Sequence, residues 1–161
     1  MNRLTKTLAL AAVVLAGAFG ATAAQASAAN FTVDFKIQNN DSAVSMIRLT
    51  TPLPSTITGL IDPPAAIAAG GSDPSSGNAQ WSDQLPALNH STSVSLSYGR
   101  ASDGGAPCEF TMTVTRDSNV NPYLLQFAVS PGSPCTAPTS SVRSSNGQFT
   151  SQTYAFGWAN Y

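Results

Sequence analysis

Charge is scarce in this sequence: 161 residues hold seven Lys or Arg, eight Asp or Glu and a single His. That scarcity excludes a surface that tracks nucleic acid, because such a surface needs clustered cations to neutralise successive phosphates. Beyond the N-terminal region the basic residues are Lys36, Arg48, Arg100, Arg116 and Arg143, scattered singly along the chain. Against eight carboxylates they leave a formal charge of −3, so no nucleic-acid partner is expected. One histidine also restricts the chemistry. It cannot build a multi-histidine metal site, and the sequence has no GxSxG elbow, HExxH helix or CxxC pair. His90 lies in Leu88-Asn89-His90-Ser91 at the start of a strand, where a solvated turn residue is the plain role and a hydrolase's general base the alternative. Asp34, Asp41, Asp62, Asp73, Asp83, Asp103, Glu109 and Asp117 stand apart from one another, without the alternating acids of a calcium loop. These absences lead us to expect no enzyme, no metal and no cofactor.

Long apolar runs are missing as well, apart from one near the start. Arg3 and Lys6 precede an apolar run from Leu8 to Phe19 and a small-residue stretch from Gly20 to Ala29, the order of a bacterial-type signal peptide. The run is too short for a transmembrane anchor, which needs roughly 20 predominantly apolar residues. Cleavage is expected after Ala26, with Ala28 as the alternative. Removing residues 1–26 leaves 135 residues, 27–161, read as a single domain located outside the cytoplasm, either secreted or periplasmic. Asn30-Phe31-Thr32, Asn40-Asp41-Ser42 and Asn89-His90-Ser91 match a glycosylation sequon, which we read as chance behind a leader of this kind. Only two cysteines are present, Cys108 and Cys135, and in an oxidising compartment they form one disulfide.

What the chain does have is hydrophobic alternation with period two, the signature of half-buried strands. It is clearest in Asn30–Ile37, Ser91–Tyr98, Cys108–Arg116, Tyr123–Val129 and Gln148–Trp158. Ala43–Thr50 reads as a further strand whose parity switches midway, after a turn at Asn39-Asn40-Asp41. From Thr51 to Ala79 the prolines and Gly70-Gly71 predict a long loop holding a short strand at Thr56–Ile61 and a helical turn at Ala65–Ala69. Ser91–Tyr98 and Cys108–Arg116 are expected to pair as a hairpin across Asp103-Gly104-Gly105. Short strands, turn-rich connections and no helices predict an all-β fold, an antiparallel β-sandwich.

The long Thr51–Ala79 loop is one candidate location for binding, and the aromatic residues offer another. Trp81 falls in a polar loop on this reading, while Tyr154, Phe156, Trp158 and Tyr161 load the C-terminus. They either pack the core or form an open face that receives sugar rings or lipid headgroups. The stretch Ser93–Val114, SVSLSYGRASDGGAPCEFTMTV, resembles the aegerolysin family through Gly99, Arg100, Asp103, Gly105 and Phe110. The opening strand, its Asn39-Asn40 turn and Val44–Leu49 resemble that family's first hairpin. The family's Trp-Asp-Cys-Pro-Trp segment is absent, with Ser130–Cys135 in its place, and so is its early Trp-Gly-Lys motif. The resemblance implies a β-sandwich that recognises membrane lipid. The function expected from the sequence is therefore a secreted, non-enzymatic binding protein for a membrane lipid or a carbohydrate. Its candidate contact residues are Trp81, Arg100, Asp103, Tyr154, Phe156 and Trp158. A second expectation is a fimbrial or envelope subunit that self-associates when Phe31–Ile37 completes a neighbour's sheet.

Overall fold

A computed structural model describes residues 29–58, 65–70, 75–85, 88–101, 107–120, 122–139 and 141–158. The leader at 1–26 lies outside the described residues, as do Asp62, Asp73, Asp103 and Tyr161. In chain order the strands are β1 Ala29–Asn39, β2 Met46–Arg48, β3 Ile57–Thr58, β4 Ala66–Ile67, β5 Ser75–Leu85 and β6 His90–Arg100. They are followed by β7 Cys108–Arg116, β8 Tyr123–Val129, β9 Cys135–Thr136, β10 Val142–Ser144 and β11 Gln148–Trp158. No helix occurs among the described residues.

Two sheets pack face to face as a β-sandwich. One runs β3-β5-β1-β11-β9 and the other β10-β8-β7-β6-β2-β4. Every pairing is antiparallel except β1 with β11, which is parallel. The alternating positions dictate which face is inside: Phe31, Val33, Phe35 and Ile37 of β1 and Val94, Leu96 and Tyr98 of β6 are all buried. Thr32, Asp34 and Lys36, between them, remain partly open to solvent. Rings join the two layers, with Phe110 tilted 5.1 Å from Phe156 and Phe127 5.0 Å from Tyr154. Such aromatic pairs contribute roughly 0.5–1.5 kcal/mol each beyond their buried area.

Five long segments of the sequence reading hold: β1, β6, β7, β8 and β11 lie where alternation put them, and β6 pairs with β7 from His90↔Arg116 to Tyr98↔Cys108. Elsewhere the structure corrects it. Ser75–Leu85, read as loop to Ala79 with Trp81 in a polar connection, is an 11-residue strand paired with β1 along its whole length. Ala79, Trp81 and Leu85 face the core, and β1 supplies the ladder that their sparse apolar pattern does not advertise. The helical turn expected at Ala65–Ala69 is instead β4, whose Ile67 is buried opposite Met46. The strand expected at Ala43–Thr50 shrinks to Met46–Arg48. The parity switch expected there does not occur: Met46 is buried whereas Ile47 and Leu49 both lie exposed on the outer side, with Leu49 lying over Gly99, so the alternation runs unbroken.

The first hairpin implied by the aegerolysin resemblance does not form. β1 and β2 belong to different sheets, and the turn after Asn39 carries the chain across the sandwich rather than back along β1. Short strands close all four sheet edges: β3, β9 and β4 have two residues each and β10 three.

Cys108 and Cys135 form the disulfide, with Cα atoms 5.9 Å apart. Cys108 opens β7 in the six-stranded sheet, and Cys135 sits in β9 of the five-stranded sheet. The bond therefore ties the two layers together. Cys135 is the ladder partner of Trp158, so the bridge and that indole close the same end of the core.

Candidate functional site

The aromatic residues face inward. Trp81, Phe156 and Trp158 are 0% exposed and Tyr154 is 8% exposed. This corrects the open aromatic face, because alternation placed these side chains together on one side of their strands and the structure turns that side to the core. The Trp81 and Phe31 rings stand nearly perpendicular, their centroids 4.8 Å apart. Burial pushes the Tyr154 hydroxyl's pKa up, since phenolate would lose its hydration there.

Arg100 is engaged in a way the sequence did not reveal. Its guanidinium lies 3.0 Å from the Asp41 carboxylate, which is 1% exposed. Asp41 Oδ1 also accepts the backbone N–H groups of Ala43 (2.9 Å) and Val44 (3.1 Å), and the Asp41 carbonyl accepts Gly70 N–H. Asn39, fully buried beside it, sends its carboxamide nitrogen to the carbonyls of Val44 (2.9 Å), Ala68 (2.9 Å) and Ile67 (3.3 Å). The cluster fixes the crossing from β1 to β2 and the approach of β4. Arg100 is thus engaged with Asp41 in this cluster, and Asp103, its partner in the resemblance, lies outside the described residues.

Hydrogen bonds from the Ala43 and Val44 amides, with the Arg100 charge, hold the Asp41 carboxyl below its ordinary value of 3.8 despite the opposing effect of burial. A depressed native pKa makes this contribution complete above 3.8 and removes it as pH falls through the lower native value. Asp41→Ala should therefore cost about 2 kcal/mol at neutral pH, reflecting lost hydrogen bonds and an ion pair with one partly exposed partner. Urea unfolding should show that difference shrinking in acid below the ordinary carboxylate range. A penalty that grows on acidification would contradict the assignment.

His90 is exposed, with Nδ1 3.1 Å from the Leu88 carbonyl oxygen. That contact places the hydrogen on Nδ1, because a carbonyl oxygen can only accept. Among the described residues no group of three or more His, Cys, Asp or Glu could hold a metal ion.

The outer face of the six-stranded sheet is the distinctive surface. Ser91, Ser93 and Ser95 of β6 lie directly opposite Thr115, Thr113 and Thr111 of β7, and Gln126 of β8 continues the row beside Thr113. All are exposed or half-buried. Their hydroxyls pair across the strands, Ser93 with Thr113 at 2.8 Å and Ser95 with Thr111 at 2.7 Å. Sheet geometry repeats these pairs about every 7 Å along the strands and about 5 Å across them. Fixed charge is confined to the margins. Glu109 stands opposite Ser97 at one end, and at the other Arg143 makes two 2.8 Å hydrogen bonds to Asp117, whose carboxyl is held below the ordinary range by that guanidinium. Ile47 and Leu49 border the face on the β2 side.

The sequence displayed these hydroxyls as the polar half of two alternating strands, but the pairing register was needed to show them as one array. No family model, curated protein or solved structure matches this chain.

Proposed function

We propose that this protein is an exported, non-enzymatic binding module that holds a neutral polysaccharide on the outer face of its six-stranded sheet. The observation that carries this reading is the nearly charge-free hydroxyl array, already ordered by its own cross-strand hydrogen bonds. Each ordered pair retains acceptor lone pairs and one hydroxyl hydrogen for a partner. Ordering before contact also reduces the rotamer entropy that binding must otherwise remove, about 0.5–1.5 kcal/mol for a flexible side chain and less for one as short as serine. Neutral hydrogen bonds are worth only about 1 kcal/mol net, so a single face binds weakly and gains from a repeating polymer. The disulfide suits an oxidising compartment, and no helix of the described residues is long and apolar enough to cross a membrane. Both are compatible with a secreted or periplasmic location, which the leader also favours.

Lipid recognition of the aegerolysin kind has less support, because Trp81 and Trp158 are buried and Arg100 is held by Asp41. Assembly by donation of Phe31–Ile37 is likewise disfavoured. β1 already lies between β5 and β11, and removing it would strip four buried apolar side chains from its own core.

Co-sedimentation of the mature protein with insoluble cellulose, chitin, and zwitterionic and anionic vesicles tests the proposal. Binding to a polysaccharide is expected, with little dependence on salt. Thr111→Lys/Thr113→Lys should weaken it severalfold without a large change in thermal midpoint, since both positions lie on the solvent side. Binding only to vesicles, to none of these probes, or equally well by the double variant would remove the reading.

A further inference from the structure

Asn146 precedes Gly147 in the tight turn that leads into β11, and the chain contains no other Asn-Gly pair. We infer that Asn146 is a built-in site of spontaneous deamidation. The Gly147 backbone nitrogen, on losing its proton, attacks Cγ of Asn146. A C–N bond forms, the Cγ–Nδ2 bond breaks and ammonia leaves, producing a succinimide. Solvent water then opens either ring carbonyl. The products are aspartate, or isoaspartate with the main chain rerouted through the side-chain carbon.

Three features of the turn favour this chemistry. Asn146 is exposed, so water and a proton acceptor have access. Its Oδ1 accepts hydrogen bonds from the Ser144 hydroxyl at 2.9 Å and from the Gln148 N–H at 3.1 Å. Two donors on this oxygen polarise Cγ and stabilise the negative charge that gathers there during attack, as donors at any developing oxyanion do. The bond to Gln148 also draws the carboxamide along the peptide that contains the attacking nitrogen, because Gly147 lies between the two residues.

Glycine cannot be exchanged for a residue that would hinder the attack. Gly147 has φ +76°, and a Cβ there would lie 2.7 Å from the Asn30 carbonyl oxygen and 3.2 Å from Phe31 Cα. The close approach of the turn to β1 thus requires the one residue that leaves the backbone nitrogen unshielded. The two products should differ in effect. Aspartate retains an oxygen that accepts both hydrogen bonds, whereas isoaspartate adds a main-chain methylene next to the 2.9 Å bond from Thr32 N–H to the Gly147 carbonyl.

Peptide mapping of the folded full chain, aged at mildly alkaline pH, provides the test. Asn146 should lose its amide on the order of tenfold faster than exposed Asn119, whose successor Val120 shields its nitrogen with a branched Cβ. Ser144→Ala removes one oxyanion donor and should slow the loss severalfold. The isoaspartate-containing fraction should melt below fresh protein, and Asn146→Asp should melt with it. Equal loss at Asn146 and Asn119, or an unchanged rate in Ser144→Ala, overturns the inference.

Discussion

Trp81→Ala should destabilise the protein by about 4 kcal/mol, a large fraction of the roughly 5–15 kcal/mol that keeps a domain of this size folded. The indole is fully buried on a strand paired to β1, with Phe31 set against its ring. Its removal takes away both the transfer energy of a large side chain and the contacts of the surrounding atoms, which can collapse only partly into the space. Trp81→Phe should cost much less. It keeps most of the apolar volume and removes an indole N–H that has no hydrogen-bond partner among the described residues, a group whose burial itself costs about 1–3 kcal/mol. Chemical denaturation of the three proteins gives the ordering. Native fluorescence adds an independent check, because both tryptophans are 0% exposed and acrylamide should quench them poorly until the chain unfolds. If Trp81→Ala left stability unchanged while weakening ligand binding, the indole would belong to a contact surface after all.

Why the sequence left the role of the aromatics open follows from the nature of the pattern. Alternation assigns Tyr154, Phe156 and Trp158 to one side of a strand, but whether that side meets a second sheet or solvent depends on partners far away in the chain. The same limit hid the role of Arg100, since Asp41 reaches it only once β2 has paired with β6. β1, β6, β7, β8 and β11 were legible because large apolar residues recur at every second position. β5 was not, because its inward positions Ala79, Trp81 and Leu85 are diluted by Gly77 and several serines, and β1 rather than local preference makes it a strand. β3, β4, β9 and β10 contain too few residues to show a period. The crossing between β1 and β2 is set by buried hydrogen bonds of Asn39 and Asp41, whereas a turn-rich string such as Asn39-Asn40-Asp41 fits a hairpin equally well. The hydroxyl array emerged by the same route. Each serine was visible on its strand, but its threonine neighbour became known only with the register.

Removing the disulfide as Cys108→Ala/Cys135→Ala should cost about 3.5 kcal/mol in the chain-entropy account. The bridge joins residues 27 apart in sequence, and without it the unfolded chain regains the freedom of that loop. Because Cys108 and Cys135 lie in different sheets, the native state also loses a tie between its layers. Folding kinetics separate these effects. If the constraint acts through the unfolded ensemble, refolding slows and unfolding hardly changes, whereas accelerated unfolding would locate the stabilisation in native packing between the sheets. The β6–β7 ladder does not depend on the bridge along most of its length, so the hydroxyl face should survive in the folded fraction. Polysaccharide binding per folded molecule should therefore be retained while the denaturation midpoint falls. Loss of binding in the fully folded double variant would instead make the β9 end of the sandwich, beside Trp158 and Cys135, part of the contact surface.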